Sequence, residues 1–237
     1  MEPRGQIHQW QGPGLALRLW PAWANDPDGQ LSRLQQEIPW RQESITLFGR
    51  THPMPRLTCW VADSGCSYRY SGLANEPQPW SDALIEIRAA LEITLGWRFN
   101  SVLLNRYRNG TDSMGWHADD EPELEQLAPI ASLSLGASRS FRLRPRDRRP
   151  GVAEPLLLEL NHGDLLVMDP PTQQHWLHAL PRRLRVRQER LNLTFRVIRT
   201  APTPRNQASL PAVSSMATVT GIVSRASSLS KKASKER

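Results

Sequence analysis

The 237-residue chain has only two cysteines, Cys59 and Cys66, and their spacing fits neither a disulfide framework nor a zinc-binding motif. Its first residues, MEPRGQIHQW, lack the apolar run of a secretory signal. No apolar segment approaches the roughly 18–20 residues that a membrane-spanning helix requires. These absences exclude a disulfide-stabilised secreted domain and an integral membrane protein, and they predict a protein of the reducing cytoplasm.

Lysine is almost missing as well, since it occurs only as Lys231, Lys232 and Lys235. The formal net charge is +7, but most of the excess lies in the last segment, from Thr200 to Arg237. This segment is rich in Ser, Ala, Pro and Thr and has no aromatic residue, which is typical of a disordered tail. Net charge alone is therefore weak support for a polyanionic partner.

Periodicity predicts helices first and strands afterwards. Asp26–Ile38 and Ser81–Gly96 have the three- and four-residue apolar spacing of amphipathic helices, whereas 1–23 has no clear pattern. After Gly96 the period becomes two, and turn residues separate the runs. The predicted strands are Ser101–Tyr107, Ile130–Leu135, Ser140–Leu143, Leu156–Leu160, Leu165–Met168, Trp176–Leu180 and Leu191–Ile198. This order predicts a mainly β protein with N-terminal helices (α+β), built on a double-stranded β-helix, or jelly roll.

One of the six histidines lies in a ligand-like triplet, His117-Ala118-Asp119. On extended chain, side chains two residues apart project to the same side, so an imidazole and a carboxylate can bind one ion. A second histidine from a distant strand would complete the two-histidine, one-carboxylate set that suits non-haem Fe(II). Either His175 or His178 could supply it, whereas His162 lies in a turn-like His-Gly-Asp and is interpreted as structural.

A second pattern is the alternation in Arg190–Arg196. On a strand, Arg190, Asn192, Thr194 and Arg196 would share one face, and the apolar residues between them would share the other. Such a face suits an organic anion, because guanidinium groups bind carboxylates bidentately. The alternative is an edge strand with one solvated face. Asn105 and Tyr107 form a further polar pair on one face of the Ser101–Tyr107 strand.

Six segments in this order resemble the AlkB family, which comprises Fe(II)- and 2-oxoglutarate-dependent dioxygenases that dealkylate nucleic-acid bases. The segments are Asn105–Tyr107, WHADDE at Trp116–Glu121, PIASLSLG at Pro129–Gly136, HGDLLVM at His162–Met168, WLHALP at Trp176–Pro181 and RLNLTFR at Arg190–Arg196. The resemblance runs from about Leu47 to Arg199. It implies an N-terminal extension (1–44), a nucleotide-recognition lid with its support helix (45–96), a jelly-roll dioxygenase core (97–199) and a disordered basic tail (200–237).

The resemblance also implies a set of site residues. His117, Asp119 and His178 match the family's iron ligands, which leaves His175 outside the metal site. A further set matches its 2-oxoglutarate site, with Arg190 or Arg196 paired to the distal carboxylate: Asn105, Tyr107, Arg190, Asn192, Thr194 and Arg196. Fe(II) is thus the implied cofactor, and 2-oxoglutarate and O₂ are the implied co-substrates.

Two further segments resemble the branch of the family that repairs duplex DNA. ITLFGR, Ile45–Arg50, is similar to its hydrophobic finger, with Phe48 placed to enter the base stack beside Gly49 and Arg50. YRYSGL, Tyr68–Leu73, is similar to its base-binding lid. The residues implied to contact the flipped base are Arg56, Tyr68, Tyr70, Asp120 and Glu121.

The function implied is oxidative demethylation of N-alkylated bases, of the 1-methyladenine and 3-methylcytosine type, in duplex DNA by a monomer. The methyl group would leave as formaldehyde while 2-oxoglutarate becomes succinate, and a duplex substrate would have to flip the base out. One alternative is the same chemistry on single-stranded DNA or RNA. Another is a non-catalytic nucleic-acid-binding jelly roll. A cupin-like metal-binding protein does not explain Arg190–Arg196.

Overall fold

The structure is a computed structural model. It describes residues 6–199, except 48, 67, 71, 72, 76, 148 and 150–152, and it does not describe the side chains of 47, 68–70 and 73–75. The described residues belong to one compact unit. The finer division into extension, lid and core stays a prediction.

The described chain contains three helices: α1 (Pro27–Glu37), α2 (Asp82–Leu95) and α3 (Thr172–His175). Before α2, its strands are β1 (His8–Gly12), β2 (Leu15–Trp20), β3 (Ser44–Leu47), β4 (Arg50–Pro53), β5 (Leu57–Ala62), β6 (Tyr68–Tyr70) and β7 (Leu73–Asn75). After α2, they are β8 (Ser101–Tyr107), β9 (Met114–His117), β10 (Ile130–Gly136), β11 (Arg139–Pro145), β12 (Leu156–Leu160), β13 (Leu165–Met168), β14 (Trp176–Leu180) and β15 (Arg190–Arg196).

Two antiparallel sheets form the core. The major sheet has seven strands in the order β1-β2-β13-β10-β15-β8-β5, and the minor sheet has four in the order β12-β11-β14-β9. Apolar side chains from both sheets, among them Leu17, Leu166, Phe141 and Leu158, pack into one cluster. The two sheets therefore face each other, and the predicted jelly roll is confirmed.

The outer face of the major sheet is covered by the two long helices. Leu34 of α1 and Leu84, Ile87 and Leu91 of α2 pack with residues on that outer face, such as Leu193. Both helices were predicted. The Asp26 side chain caps α1 by accepting the Gly29 amide, and α2 ends where Gly96 takes a left-handed φ of 68°.

The absence of regular structure expected for 1–23 was wrong. The β1–β2 hairpin lies there and extends the major sheet, because β2 pairs with β13 from Leu165↔Trp20 to Met168↔Leu17. The missed signal is the alternation of Leu15, Leu17 and Leu19, which puts every second side chain into the core. The strands β5 and β9 were also missed.

The two segments assigned to substrate recognition form short hairpins, β3–β4 and β6–β7. Phe48, which follows Leu47 in the sequence, lies outside the described residues. Tyr68 and Tyr70 begin and end β6, but their side chains are outside what the structure describes. No helix in the described part of the chain has the length and apolar character needed to span a bilayer.

Candidate active site

The three predicted metal ligands meet at the β9 edge of the minor sheet. β9 and β14 are neighbours, and His117 and His178 are paired across them with ring centroids 4.1 Å apart. Asp119 lies two residues beyond the end of β9. One ligand atom from each of the three side chains lies within 4.8 Å of the others. Strand pairing thus brings together residues about 60 positions apart in the sequence, and it does so without His175.

The protonation of these groups favours metal binding. His117 Nδ1 donates to the Gly115 carbonyl oxygen at 2.9 Å, because a carbonyl oxygen can only accept, and this leaves Nε2 as the ring nitrogen that can face a metal. Burial, followed by the adjacent His117 ring, lowers the pKa of His178 to about 3, so that imidazole is neutral. Burial raises the pKa of Asp119, but Arg196 and the two histidines lower it more, and the net pKa falls below its usual range.

Asp119 is held on both its side chain and its backbone. Arg196 Nη2 donates to Asp119 Oδ1 at 2.5 Å, and both side chains are almost fully buried. The Asp119 amide donates to Gln173 Oε1 at 2.9 Å. A buried carboxylate is costly unless it is paired, so Arg196 stabilises the ionised form that a metal needs.

The polar face of β15 points into the space between the sheets. β15 is a central strand, with β10 on one side and β8 on the other, and Arg190, Thr194 and Arg196 are each at most 6% exposed. The alternative of a solvated edge strand is therefore wrong. Leu191, Leu193 and Phe195 point to the helices, as the alternation predicted.

Arg190 has the environment expected of an anion-binding group. It is 2% exposed, its Nη2 donates to Ser134 Oγ at 2.8 Å, and its buried Nε has no hydrogen-bond partner among the described residues. Its guanidinium lies 5.7 Å from the centroid of the Tyr107 ring. Burial lowers the pKa of Arg190 to about 10, so it remains charged. A carboxylate bound here would supply the missing acceptor and neutralise the charge.

One cavity between the sheets is lined by both groups. Its lining contains all three metal-ligand candidates and all six residues expected to bind 2-oxoglutarate: Asn105, Tyr107, His117, Asp119, His178, Arg190, Asn192, Thr194 and Arg196. Arg190 and Arg196 lie at opposite ends of β15, about 20 Å apart along the strand. The cavity thus has a guanidinium without a carboxylate at one end and a metal-ligand cluster at the other.

The residues expected to contact the base are less closely grouped. Arg56 is buried, and its Nε donates to Asn105 Oδ1 at 2.8 Å, next to the cavity lining. Asp120 is partly exposed and accepts from Arg146 Nη2 at 2.5 Å, and Glu121 is half-buried. Gly49 and Arg50 are exposed on the β3–β4 hairpin. Their roles in base binding stay predictions.

Several residues around the cavity were not predicted. Ser132 accepts from Asn192 Nδ2 at 2.7 Å, as Ser134 does from Arg190, so β10 orients the polar face of β15. Phe141 stacks on the His178 ring with centroids 5.3 Å apart. The serines alternate within Pro129–Gly136, and that period could have identified them. Nothing in the local sequence distinguishes Phe141 or Gln173, because their roles arise from chain pairing.

His175, the other histidine left open by the sequence, is excluded from the metal cluster by its position. It is the last residue of α3, its side chain is exposed, and it lies against Gly14 in the β1–β2 turn. On a regular strand, side chains three positions apart project to opposite faces of the sheet. His175 and His178 therefore could not both have pointed inward from one such strand.

The donor set fits Fe(II) and an oxyacid. Two imidazoles and one ionised carboxylate on one side leave coordination positions open, which is the arrangement of non-haem Fe(II) oxygenases. The unpaired Nε of Arg190 fits the carboxylate of 2-oxoglutarate.

Comparison with known proteins agrees with this chemistry. Residues 22–196 match the family model of the 2OG-Fe(II) oxygenase superfamily. The chain is 42% identical over 180 residues to the DNA oxidative demethylase ALKBH2 of Mus musculus, which covers 73% of this chain and 75% of that protein. It is 40% identical over 195 residues to the alpha-ketoglutarate-dependent dioxygenase alkB homolog 3 of Rattus norvegicus, covering 79% of this chain and 65% of that protein.

The fold has a counterpart among solved structures. The structure of OsALKBH1 superposes with a TM-score of 0.52 at 18% identity, covering 81% of this chain and all of that chain, which supports the shared jelly roll. Together with the family match and the relatives at about 40% identity, the metal-ligand cluster and the anion-binding strand identify the chain as a member of the AlkB family within the 2OG-Fe(II) oxygenase superfamily.

Proposed function

We propose that this chain is a DNA oxidative demethylase that repairs alkylated bases. The observation that carries the proposal is the His117, Asp119 and His178 cluster, which shares one cavity with the buried Arg190 guanidinium. A dioxygenase with this cluster uses Fe(II), 2-oxoglutarate and O₂. The relatives named DNA oxidative demethylase and alkB homolog 3 support alkylated DNA as the substrate class.

When bound, the iron centre couples oxidation of the N-methyl carbon by O₂ to conversion of 2-oxoglutarate into succinate and CO₂, and the methyl group leaves as formaldehyde. The protein's part is to bind and orient the reactants and to keep water out. His117 Nε2, His178 and Asp119 would hold the metal. Of the ligands, His178 and Asp119 are each about 5% exposed, which limits access of water.

Arg190 is our choice for the distal carboxylate of 2-oxoglutarate. Arg196 is committed to Asp119 through a 2.5 Å hydrogen bond, whereas Arg190 forms no ion pair with any carboxylate in the described part of the chain. Tyr107, beside the Arg190 guanidinium, lies on the same cavity wall. Asn105, Asn192 and Thr194 line the cavity between the arginines, where they would contact the middle of the molecule.

The methylated base would enter from the side of Asp120 and Glu121. N1-methyladenine and N3-methylcytosine are cationic, so carboxylates near the metal favour them over the unmodified bases. Tyr68 and Tyr70 are proposed to stack on the flipped base, and Arg56 is proposed to shape the pocket through Asn105. Gly49 and Arg50 would present Phe48 at the tip of the β3–β4 hairpin.

We propose duplex DNA as the preferred substrate and a monomer as the active form. The β3–β4 hairpin supports this preference, because a flipped base leaves a gap in the stack that an apolar residue at the tip can fill. Single-stranded DNA or RNA is the alternative substrate. A non-catalytic binding role is less favoured, because both the ligand set and the anion-binding strand are complete.

We further propose a reducing compartment, the cytoplasm, as the site of action. Cys59 and Cys66 are both free and buried in the fold, as expected where thiols stay reduced.

One assay tests the proposal. The full chain is incubated with Fe(II), 2-oxoglutarate and oligonucleotides that carry 1-methyladenine or 3-methylcytosine, in single- and double-stranded form, and demethylation is followed by mass spectrometry. We expect methyl loss with stoichiometric succinate in the duplex. Succinate formation without demethylation of any nucleic acid would contradict the substrate, and absence of both would contradict the enzyme.

A further inference from the structure

We propose that Gln173 is a positioning residue that sets the place of the iron-binding carboxylate of Asp119. The inference rests on the metal site of the proposed function. It concerns the one ligand of the cluster that lies outside a strand, since His117 ends β9 and His178 lies within β14.

The backbone of Asp119 has no strand ladder to hold it. Residues 118–120 form no regular element, and the β9–β14 register is already shifted between His178 and Leu180. The Asp119 amide donates instead to Gln173 Oε1 at 2.9 Å. The Gln173 side-chain orientation is fixed in turn, because its Nε2 lies 3.2 Å from Met168 Sδ.

The residue after Asp119 is tied to the same helix. Arg146 Nη2 donates to Asp120 Oδ2 at 2.5 Å and to the Gln173 carbonyl oxygen at 3.2 Å. The Asp119 carboxylate is held from the other sheet, because it accepts a hydrogen bond from Arg196 at the end of β15. The ligand is therefore fixed at two points: Arg196 orients its carboxylate, and Gln173 fixes its backbone.

The hydrogen bond from the Asp119 amide to Gln173 links two ligand-bearing segments because of where Gln173 lies in the chain. Gln173 lies on α3, which leads directly into β14, and β14 carries His178. One side chain thus couples the segment that bears Asp119 to the strand that bears another ligand. Without it, a buried amide loses its acceptor and the carboxylate is no longer confined at the distance that the two imidazoles require.

The test measures metal affinity rather than turnover. The full chain is titrated with Mn²⁺ in the presence of 2-oxoglutarate by calorimetry, and the melting temperature (Tm) of the metal-free protein is measured in parallel. Gln173→Leu keeps the size but removes the acceptor, and we expect Mn²⁺ affinity to fall by roughly 10- to 100-fold, as for other outer partners of metal ligands. Gln173→Glu keeps an acceptor oxygen at the same reach and should restore most of the affinity.

The matched control is the Gln174→Leu variant, because Gln174 is an exposed glutamine on the same helix. This variant should bind Mn²⁺ like the wild-type protein. If Gln173→Leu does not fold, Gln173→Asn is measured in its place, because its acceptor falls one methylene short of Asp119. Unchanged affinity in the folded variant would overturn the proposal. So would equal losses in Gln173→Glu and Gln173→Leu, or an equal loss in Gln174→Leu.

The Mn²⁺ titration tests the role of Gln173 independently of the proposed DNA substrate, because it contains no nucleic acid. Mn²⁺ binding with no demethylation of any oligonucleotide would count against the DNA substrate and leave the role of Gln173 standing. A wild-type protein that binds no Mn²⁺ would overturn the metal site and the role of Gln173 together.

Discussion

The individual residues of the site differ in what they contribute, although they lie in one cavity. His178 is buried and neutral, and Phe141 covers one face of its ring. Arg196 compensates the charge of Asp119, whereas Arg190 is a buried cation with no ion pair among the described residues. Substitutions at these positions should therefore have distinct effects rather than a uniform loss of activity.

We expect His178→Ala to reduce turnover by more than about 100-fold, because removing a metal ligand is more damaging than removing an outer partner of one. His175→Ala should stay within about twofold of the wild type, as expected for an exposed side chain away from the cluster. Succinate release from 2-oxoglutarate measures both. Loss of activity in His175→Ala with retention in His178→Ala would show that the ligand is misassigned.

The two arginines of β15 should separate in a second experiment. Arg190→Met should raise the KM for 2-oxoglutarate by roughly 30-fold or more, since losing a buried charged partner costs about 2–5 kcal/mol. Its Mn²⁺ affinity should change little, because Arg190 contacts none of the ligands. Arg196→Met should instead weaken Mn²⁺ binding, because Asp119 loses its partner. Steady-state kinetics and calorimetry together distinguish these patterns, and identical behaviour of the two variants would contradict the assignment of Arg190.

At the scale of elements, the β3–β4 hairpin carries the choice between duplex and single strand. Extracting a base from a duplex costs a few kcal/mol, most of which a single strand avoids. An apolar residue that fills the gap offsets that cost only in the duplex.

Phe48→Ala should therefore lower kcat/KM on a methylated duplex by roughly 30-fold, the equivalent of about 2 kcal/mol, and change it much less on the same lesion in a single strand. Thr51→Ala, on an exposed position of the same hairpin, is the control. Equal losses on both substrates would mean that Phe48 supports the fold, and no loss on either would favour the single-strand or RNA alternative.

The β1–β2 hairpin is an element of the core although it precedes the predicted domain. Leu17 is 1% exposed and packs between the two sheets. Leu17→Ala should lower the free energy of unfolding by about 2–5 kcal/mol, whereas Gln9→Ala on exposed β1 should change it by less than about 0.5 kcal/mol. Urea denaturation measures both changes. A Leu17→Ala variant as stable as the wild type would show that the major sheet does not depend on β2.

At the scale of the whole molecule, the metal and the co-substrate should stabilise the fold, because they bind residues from both sheets. A ligand at a hundredfold excess over its Kd adds about 2.7 kcal/mol to stability. For a chain of this size that corresponds to a rise in Tm of roughly 5–11 °C with Mn²⁺ and 2-oxoglutarate. Differential scanning fluorimetry measures the shift, and Asp119→Asn should abolish most of it. A shift that persists in Asp119→Asn would place the metal elsewhere.

The sequence by itself determined the elements whose signal is local. Leu84, Ile87 and Leu91 specify α2 because a helix repeats every 3.6 residues, and Leu156–Leu160 and Leu165–Met168 were predicted with the bounds that the structure has. The alternation in β15 likewise specified which side chains share a face. The order of motifs also indicated the family, because motifs depend on residue identity and spacing, and the resemblance predicted the three metal ligands that the structure brings together.

Tertiary structure alone decided what depends on pairing between distant segments. β2 and β5 became members of the major sheet because they pair with β13 and β8, and neither partner is visible from local periodicity. The different surroundings of Arg190 and Arg196 arose in the same way. The two residues are chemically identical and share one face, but of the two only Arg196 reaches Asp119, which follows β9 of the minor sheet. A local pattern specifies which side of an element a residue occupies, and long-range packing specifies what stands opposite it.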